Sequence, residues 1–358
     1  MVLRTLKSKL PEAPEALVKK EIEKCGINVK FVASESRLLA ILREMQRGFI
    51  ITDSSFAGNY LARAGIENTF NIRREDTNHV REAKGRIGKE NLIIGFGGGR
   101  PLDVAKKVAH DLGLELLLVP TAPSHNGIAS RTASLYRGSK KESFRCKYPD
   151  RLIIPFFLWK GAERHGKAGL LDVFGSIIAL QDVYLANRVV NEEIKEREQS
   201  LAAASVVMAH NSRGFKSLAL SLIAAGLAMK ESSRYCSGSE HEAEKALAQQ
   251  FSRYMHGELV GFCSLICAKL YEQYSKQLPE LLFDSEALFA HVLRIYRRKK
   301  LIEPLRRMFE DKKLWKLAPV LLKKSSAVRR ERFTLWNVVD SRKIDFKSLM
   351  KEIYACLG

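Results

Sequence analysis

In the first half of the chain, short apolar runs alternate with stretches that carry a helical repeat. NVKFVA (28–33) reads as a strand, and ESRLLAILREM behind it as an amphipathic helix. GFIITD (48–53) is a buried strand followed by the helical SSFAGNYLARAG, where Gly65 suits a helix C-cap. NTFNI (68–72) is a third strand, with a helix predicted near TNHVREAKGRIG. NLIIGF (91–96), a helix from Pro101 to Leu112, and LELLLVPTA (114–122) complete the series. Short strands joined by crossover helices imply a parallel, doubly wound sheet. From about residue 160 the strand signals stop and long helical patterns rich in Ala, Leu, Glu, Lys and Arg take over. The expected fold is an α/β, Rossmann-like domain over residues 1–160 followed by an all-α domain over 161–358. A ligand is expected at the strand C-termini, facing the cleft between the two.

The junction of the fourth strand and its helix is unusual. NLIIGFGGGRPLDVAKKVAH (91–110) has glycines at 95, 97, 98 and 99, yet Arg100 breaks the G-x-G-x-x-G fingerprint and no Gly-Lys-Ser/Thr follows. Glycines at Gly97, Gly98 and Gly99 let the backbone turn sharply and approach a ligand closely. Pro101 suits the first helical position, and Asp103 lies in the first turn, where the helix dipole favours a carboxylate. The free N–H groups of such a helix start suit a pyrophosphate. A plain strand–helix turn would look the same.

Bulk composition narrows the class. The 358 residues are 46% hydrophobic and 28% charged, ordinary for a globular protein with two domains. No basic, apolar leader with a small-residue cleavage site opens the chain. The longest weakly polar run, SLALSLIAAGLAM (217–229), is too short to span a bilayer. Six cysteines have no metal or disulfide spacing, and Cys263 and Cys267 fit as small buried hydrophobes. A cytoplasmic protein is expected. The net charge of +20 is uneven: residues 294–332 hold 15 Lys/Arg against 4 Asp/Glu. A solvated helical face, attraction of an anionic substrate and loose nucleic-acid contact all fit this run. No RNP, zinc-finger or helix-turn-helix pattern accompanies it, so no specific nucleic acid is expected.

The arrangement Gly97-Gly98-Gly99-x-x-x-Asp103-x-Ala105-Lys106 resembles the superfamily of glycerol dehydrogenases, iron-type alcohol dehydrogenases and dehydroquinate synthases. VPTAPSHNGIASRTASLY (119–136) is most similar to the sn-glycerol-1-phosphate dehydrogenase family, with its V-P-T-A-x-S-H-D-G-I-A-S wording. AGLLDVFGSIIALQDVYLA (168–186), SSRYCSGSEH (232–241), MHGELVG (255–261) and RERFTLWN (330–337) continue the likeness in collinear order.

The resemblance implies NADP(H) or NAD(H) on the glycine turn, with Gly97, Gly98, Gly99, Asp103, Thr121, Ser124 and Ser130 at the cofactor. It implies zinc on Asp172, His241 and His256. Taken alone, a histidine near a helix start is more often a hydrogen-bonded structural residue than a metal ligand. Ser237-x-x-Glu240 reads as a capping box that puts His241 in a first helical turn, and Asp182 is the fallback carboxylate. The substrate implied is dihydroxyacetone phosphate, reduced to sn-glycerol-1-phosphate for archaeal-type phospholipids by a homo-oligomeric enzyme. Arg234 and Arg332 are candidates for its phosphate. His125 and Asn126 fall at catalytic positions; Asn126 replaces the family's aspartate, and an amide cannot exchange a proton. Arg73 and Arg74 after the third strand tilt the cofactor reading toward NADP(H). A polyol dehydrogenase, a dehydroquinate synthase-like lyase and a basic nucleic-acid-binding protein on the same scaffold are the alternatives.

Overall fold

The computed structural model describes residues 1–45, 48–66, 68–138, 140–328 and 331–358. Its main sheet has six parallel strands: β1 (Asn28–Val32), β2 (Phe49–Asp53), β3 (Thr69–Ile72), β4 (Leu92–Gly97), β5 (Glu115–Pro120) and β8 (Arg151–Pro155). Their order is β3-β2-β4-β5-β8-β1. Every residue of β2 and β4 is buried, because helices cover both faces of a parallel sheet and no face is left for solvent. Helices Glu35–Glu44, Phe56–Arg63, Thr77–Arg86 and Gly99–Leu112 fall at the crossovers predicted from the sequence.

Two short strands, β6 (Thr132–Arg137) and β7 (Lys140–Arg145), form an antiparallel hairpin outside this sheet. Beyond β8 all regular structure among the described residues is helical. The first residues join that part: Glu21 accepts from Arg197 Nε at 2.7 Å, and the Lys9 carbonyl accepts from Ser200 Oγ at 2.9 Å.

Residues 217–229 are not the longest apolar stretch. Helix Glu163–Val190 has an 18-residue window of mean hydropathy 1.4, long and apolar enough to cross a membrane by composition, yet 89% of it is buried inside the protein. It is apolar all round because helices surround it. Asp172, Gln181 and Asp182 interrupt the pattern in the sequence, and all three are fully buried. The basic run after residue 294 lies on surface helices, where Arg306 and Arg307 pair with Glu310 and Glu303 one turn away.

Candidate metal centre and nucleotide turn

Three elements of the helical part converge on one point. Asp172 comes from the middle of Glu163–Val190, His241 from the first turn of helix Ser239–Ala248, and His256 from the first residue of helix His256–Gln273. One ligand atom from each lies within 4.8 Å of the others. Asp172 Oδ1 stands 3.4 Å from His241 Nε2 and 3.5 Å from His256 Nε2, and it is buried without a hydrogen-bond partner. Ligands held at about 2.0–2.1 Å from one tetrahedral zinc sit roughly 3.4 Å apart. The donor set fits a divalent cation in both type and spacing. The His256 side chain is 43% exposed while Asp172 is sealed, so the cluster opens on one side.

Each imidazole is held from behind. His241 Nδ1 contacts Glu240 Oε1 at 2.7 Å, and His256 Nδ1 contacts Glu244 Oε1 at 3.0 Å. A carboxylate at Nδ1 fixes the proton there and leaves the Nε2 lone pair for a metal. Without a cation the site gathers protons. Burial works against charge on His256, but Glu244 and then Asp172 outweigh it and raise it to about 10. His241 is raised in the same way by Asp172 and Glu240. Burial opposes ionisation of Asp172 too, yet the two imidazoles hold its carboxyl far below the usual range.

Ser237 does not cap the helix that carries His241. The N-cap is Gly238, whose N–H donates to Glu240 Oε1 at 2.9 Å, and Asp182 Oδ2 accepts the Ser239 N–H at 2.6 Å. Asp182 also accepts from Tyr271 OH at 2.6 Å and from the Leu335 N–H at 2.8 Å. It braces the helix start rather than joining the trio. Its carboxyl is pushed up to about 6 by burial and by Glu240.

On the sheet side, β4 ends in Gly97 at φ +144°, a conformation that disfavours side chains, and Gly98 caps helix Gly99–Leu112. A Cβ on Gly98 would meet nothing within 4 Å, so this face of the turn is open. The Gly99 and Arg100 N–H groups belong to the first turn and have no intrahelical partner. Pro101 is the third helical residue, not the first, and still falls among positions whose N–H would be unpaired. The Thr121 N–H donates to the Gly97 carbonyl at 3.0 Å, and Ser124 is half-buried beside it. Asp103 and Ser130 are already engaged within the protein. Asp103 Oδ2 accepts the Ser134 N–H at 3.0 Å, and Ser130, 1% exposed, bonds the carbonyls of Gly127 and Thr132.

Lys106 ties these parts together from below. Its fully buried ammonium donates to Gly127 O at 2.6 Å, Asp103 Oδ1 at 3.0 Å and Thr132 O at 3.1 Å, with Ser130 Oγ at 3.4 Å. The turn it grips carries His125 and Asn126. The Asn126 N–H donates to Asp172 Oδ2 at 2.9 Å. The His125 ring packs against Gly99, accepts the Gly127 N–H at Nδ1 (2.8 Å), and leaves Nε2 buried without a partner. Burial pushes this imidazole down to about 4 against the pull of Asp103, so it is neutral with its proton on Nε2.

Both arginines read as phosphate contacts are already engaged within the protein. Arg234 is 5% exposed and donates to Glu192 (2.8 Å), Asp182 O (3.1 Å) and Phe333 O (2.8 Å). Arg332 donates to Ser237 O at 2.9 Å and Ser233 Oγ at 3.2 Å. Arg330, which opens the RERFTLWN segment, lies outside the described residues. Arg74 stacks on the Tyr136 ring at 3.6 Å, and Asp76 caps helix Thr77–Arg86. Strand order makes β2, not β3, the neighbour of the glycine strand, and β2 ends in Asp53, 3.5 Å from Arg100. Asp53, Glu244, the contact of Glu240 with His241 and the grip of Lys106 are additions of the structure. Glutamates at 240 and 244, one turn apart around His241, were the available signal.

The family model for iron-containing alcohol dehydrogenase matches residues 17–156. Curated relatives named glycerol-1-phosphate dehydrogenase (NAD(P)+) include that of Pyrobaculum aerophilum, 36% identical over 200 residues, covering 51% of this chain and 58% of the relative. That of Pyrobaculum arsenaticum is 33% identical over 247 residues, covering 63% and 71%. The match thus spans less than two thirds of the first relative's length and more than two thirds of the second's. Among solved structures, a probable glycerol dehydrogenase from Sinorhizobium meliloti superposes with a TM-score of 0.61 at 16% identity, covering 92% of this chain and 96% of that one. Sulfoacetaldehyde reductase from Bifidobacterium kashiwanohense, solved with NAD+, gives 0.59 at 14% identity with coverage of 92% and 96%. These structures share the fold. The aligned sequence shows that the chain belongs to the glycerol-1-phosphate dehydrogenase family.

Proposed function

We propose that the chain reduces the ketone of dihydroxyacetone phosphate to sn-glycerol-1-phosphate, using NADH or NADPH and a zinc ion held by Asp172, His241 and His256. The observation that carries this reading is the unpartnered Asp172 Oδ1 midway between two imidazole Nε2 atoms, hydrogen-bonded through its other oxygen to the turn beside the glycines. When bound, the metal supplies Lewis acidity toward a carbonyl oxygen and the dinucleotide supplies the hydride. The chain's own groups bind and orient. Glu240 and Glu244 aim the imidazoles, and the first-turn N–H groups of Gly99 and Arg100 are left for a pyrophosphate.

The Asn126 amide and the neutral His125 Nε2–H can each hydrogen-bond an oxygen, but neither releases a proton at neutral pH, so the proton for the new hydroxyl comes from solvent water. Asp53 and Arg100 together favour use of both cofactors, the carboxylate toward ribose hydroxyls and the guanidinium toward a 2′-phosphate. Chiral analysis of the product from dihydroxyacetone phosphate with each reduced cofactor, alongside metal analysis, tests the reading. Formation of the opposite glycerophosphate enantiomer, or turnover of glycerol alone, would overturn it.

A further inference from the structure

Helix Lys312–Leu322 lies on the surface of the helical part, with Leu314, Ala318, Pro319 and Leu322 buried on one side. That side packs on helix Ser239–Ala248, which carries His241, and on helices Ile302–Glu310 and Phe346–Ala355. The other side faces solvent. Lys312, Lys313, Lys316 and Val320 are exposed, and exposed Lys323 and Lys324 continue the row in helical backbone just past the last turn. At about 100° per residue these six side chains fall within roughly 120° of arc, with half-buried Leu317 and Leu321 along one edge. Val320 is 62% exposed, the most of any large apolar side chain among the described residues.

The charge on this face is not neutralised. No acidic residue lies between Asp311 and Glu331 in the sequence. Asp311 itself caps the helix, accepts from Tyr254 OH at 2.6 Å and pairs with Arg253. Lys313 lies 5.9 Å over the Phe251 ring, whereas the ammonium groups of Lys312, Lys316, Lys323 and Lys324 have no hydrogen-bond or ion-pair partner among the described residues. The adjoining helix Ile302–Glu310 contrasts with it, since Arg306 and Arg307 there are offset by Glu310 and Glu303. A face built only for water has no use for an aliphatic side chain among its lysines. We propose that this face docks the protein on an anionic lipid bilayer, with the lysines against headgroup phosphates and Val320, beside Leu317 and Leu321, at the boundary of headgroups and acyl chains. A nucleic acid fits less well, because base stacking needs exposed aromatic rings, and Trp315, the aromatic residue of this helix, is half-buried outside the arc. Docking of this kind is independent of which ketone the chain reduces.

The test is cosedimentation of the full chain with vesicles, phosphatidylglycerol and phosphatidylcholine in equal parts against phosphatidylcholine alone, at low and high salt. It compares wild type, the double variant Lys316→Gln/Lys323→Gln, and Val320→Ser. Wild type should bind the anionic vesicles, leave the neutral ones, and be released by salt. The double variant should bind about 30-fold more weakly, the effect of removing two basic residues from an anionic surface. Val320→Ser should weaken binding by about threefold to tenfold, which charge alone would not produce. All three positions are exposed, so Tm should match wild type. Equal binding to both vesicle types, binding to neither, or binding unaffected in the double variant would overturn the assignment. Polyuridylate held more tightly than the anionic vesicles, through the same lysines, would overturn it in favour of a nucleic acid. A double variant that sediments as a smaller assembly than wild type, with no vesicle binding by either, would overturn it in favour of a second copy of this chain.

Discussion

Asn126 and Asp172 are joined across the cleft by a 2.9 Å hydrogen bond from the backbone of one to the carboxylate of the other. Because the donor is a main-chain N–H, the link survives replacement of the Asn126 side chain. The asparagine that departs from the family wording therefore leaves the trio's anchor intact. Asn126→Ala should retain the bound metal at wild-type stoichiometry, and Asp172→Ala should lose it. The latter should cost about 10³-fold in kcat, the scale of several kcal/mol of charge stabilisation. Metal analysis by mass spectrometry with steady-state rates checks both.

Glu244 is not one of the three ligands, yet it fixes the His256 ring at 3.0 Å. Glu244→Ala should weaken metal affinity by roughly 10- to 100-fold, the usual effect of losing a carboxylate behind a metal-bound histidine. Competition against a chromogenic chelator measures it; unaltered affinity would show that His256 is oriented by something else.

The metal-free protein has His256 raised to about 10, so between pH 7 and 9 the imidazole carries a proton that a metal must displace. Apparent metal affinity should rise about tenfold per pH unit across that window if one proton leaves. The stability of the metal-free fold should move the opposite way. A raised folded-state value gives a contribution that is complete below the unfolded value near 6.5 and fades as pH climbs through about 10. Chelator competition and thermal unfolding at matched ionic strength follow the two trends.

Gly98→Val separates a ligand-facing role from a packing one. Open space surrounds its Cβ direction, so Tm should stay within a degree or two of wild type, whereas KM for the dinucleotide should rise at least about tenfold as the valine blocks close approach to the backbone. A lower Tm with unchanged KM would remove Gly98 from the nucleotide turn.

Lys106→Met would leave Asp103 Oδ1 and the carbonyls of Gly127 and Thr132 without their buried donor. The loss should reach about 3 kcal/mol of stability, within the range for breaking a buried ion pair. Chemical denaturation reads it directly.

Much of this layout was legible in the chain. Strands β2, β4 and β5 are uninterrupted apolar runs, and a helix repeat follows each of β1 to β4, so the parallel sheet announced itself. The hairpin did not, because Thr132–Arg137 alternates polar and apolar residues and lacks the buried-strand run. The trio was named through wording shared with known proteins, since two histidines fifteen residues apart carry little spacing information by themselves. What convergence adds is the third dimension: Asp182 looked interchangeable with Asp172 along one helix. Ten residues place the two carboxylates almost three turns apart, one toward the imidazoles and one toward the start of the helix that carries His241. Which strand neighbours the glycine strand is not legible in the sequence, because strand order, unlike strand identity, is not written locally.

Helix Glu163–Val190 has a consequence for the protein's synthesis. As it leaves the ribosome, before its neighbours exist to cover it, this segment presents a stretch greasy enough to be mistaken for a lipid-spanning anchor. Each acidic residue near the middle of such a stretch opposes insertion by about 2.5–3.5 kcal/mol. Asp172 and Asp182 thus serve the nascent chain as well as the finished one, keeping the segment out of the bilayer until the fold closes round it.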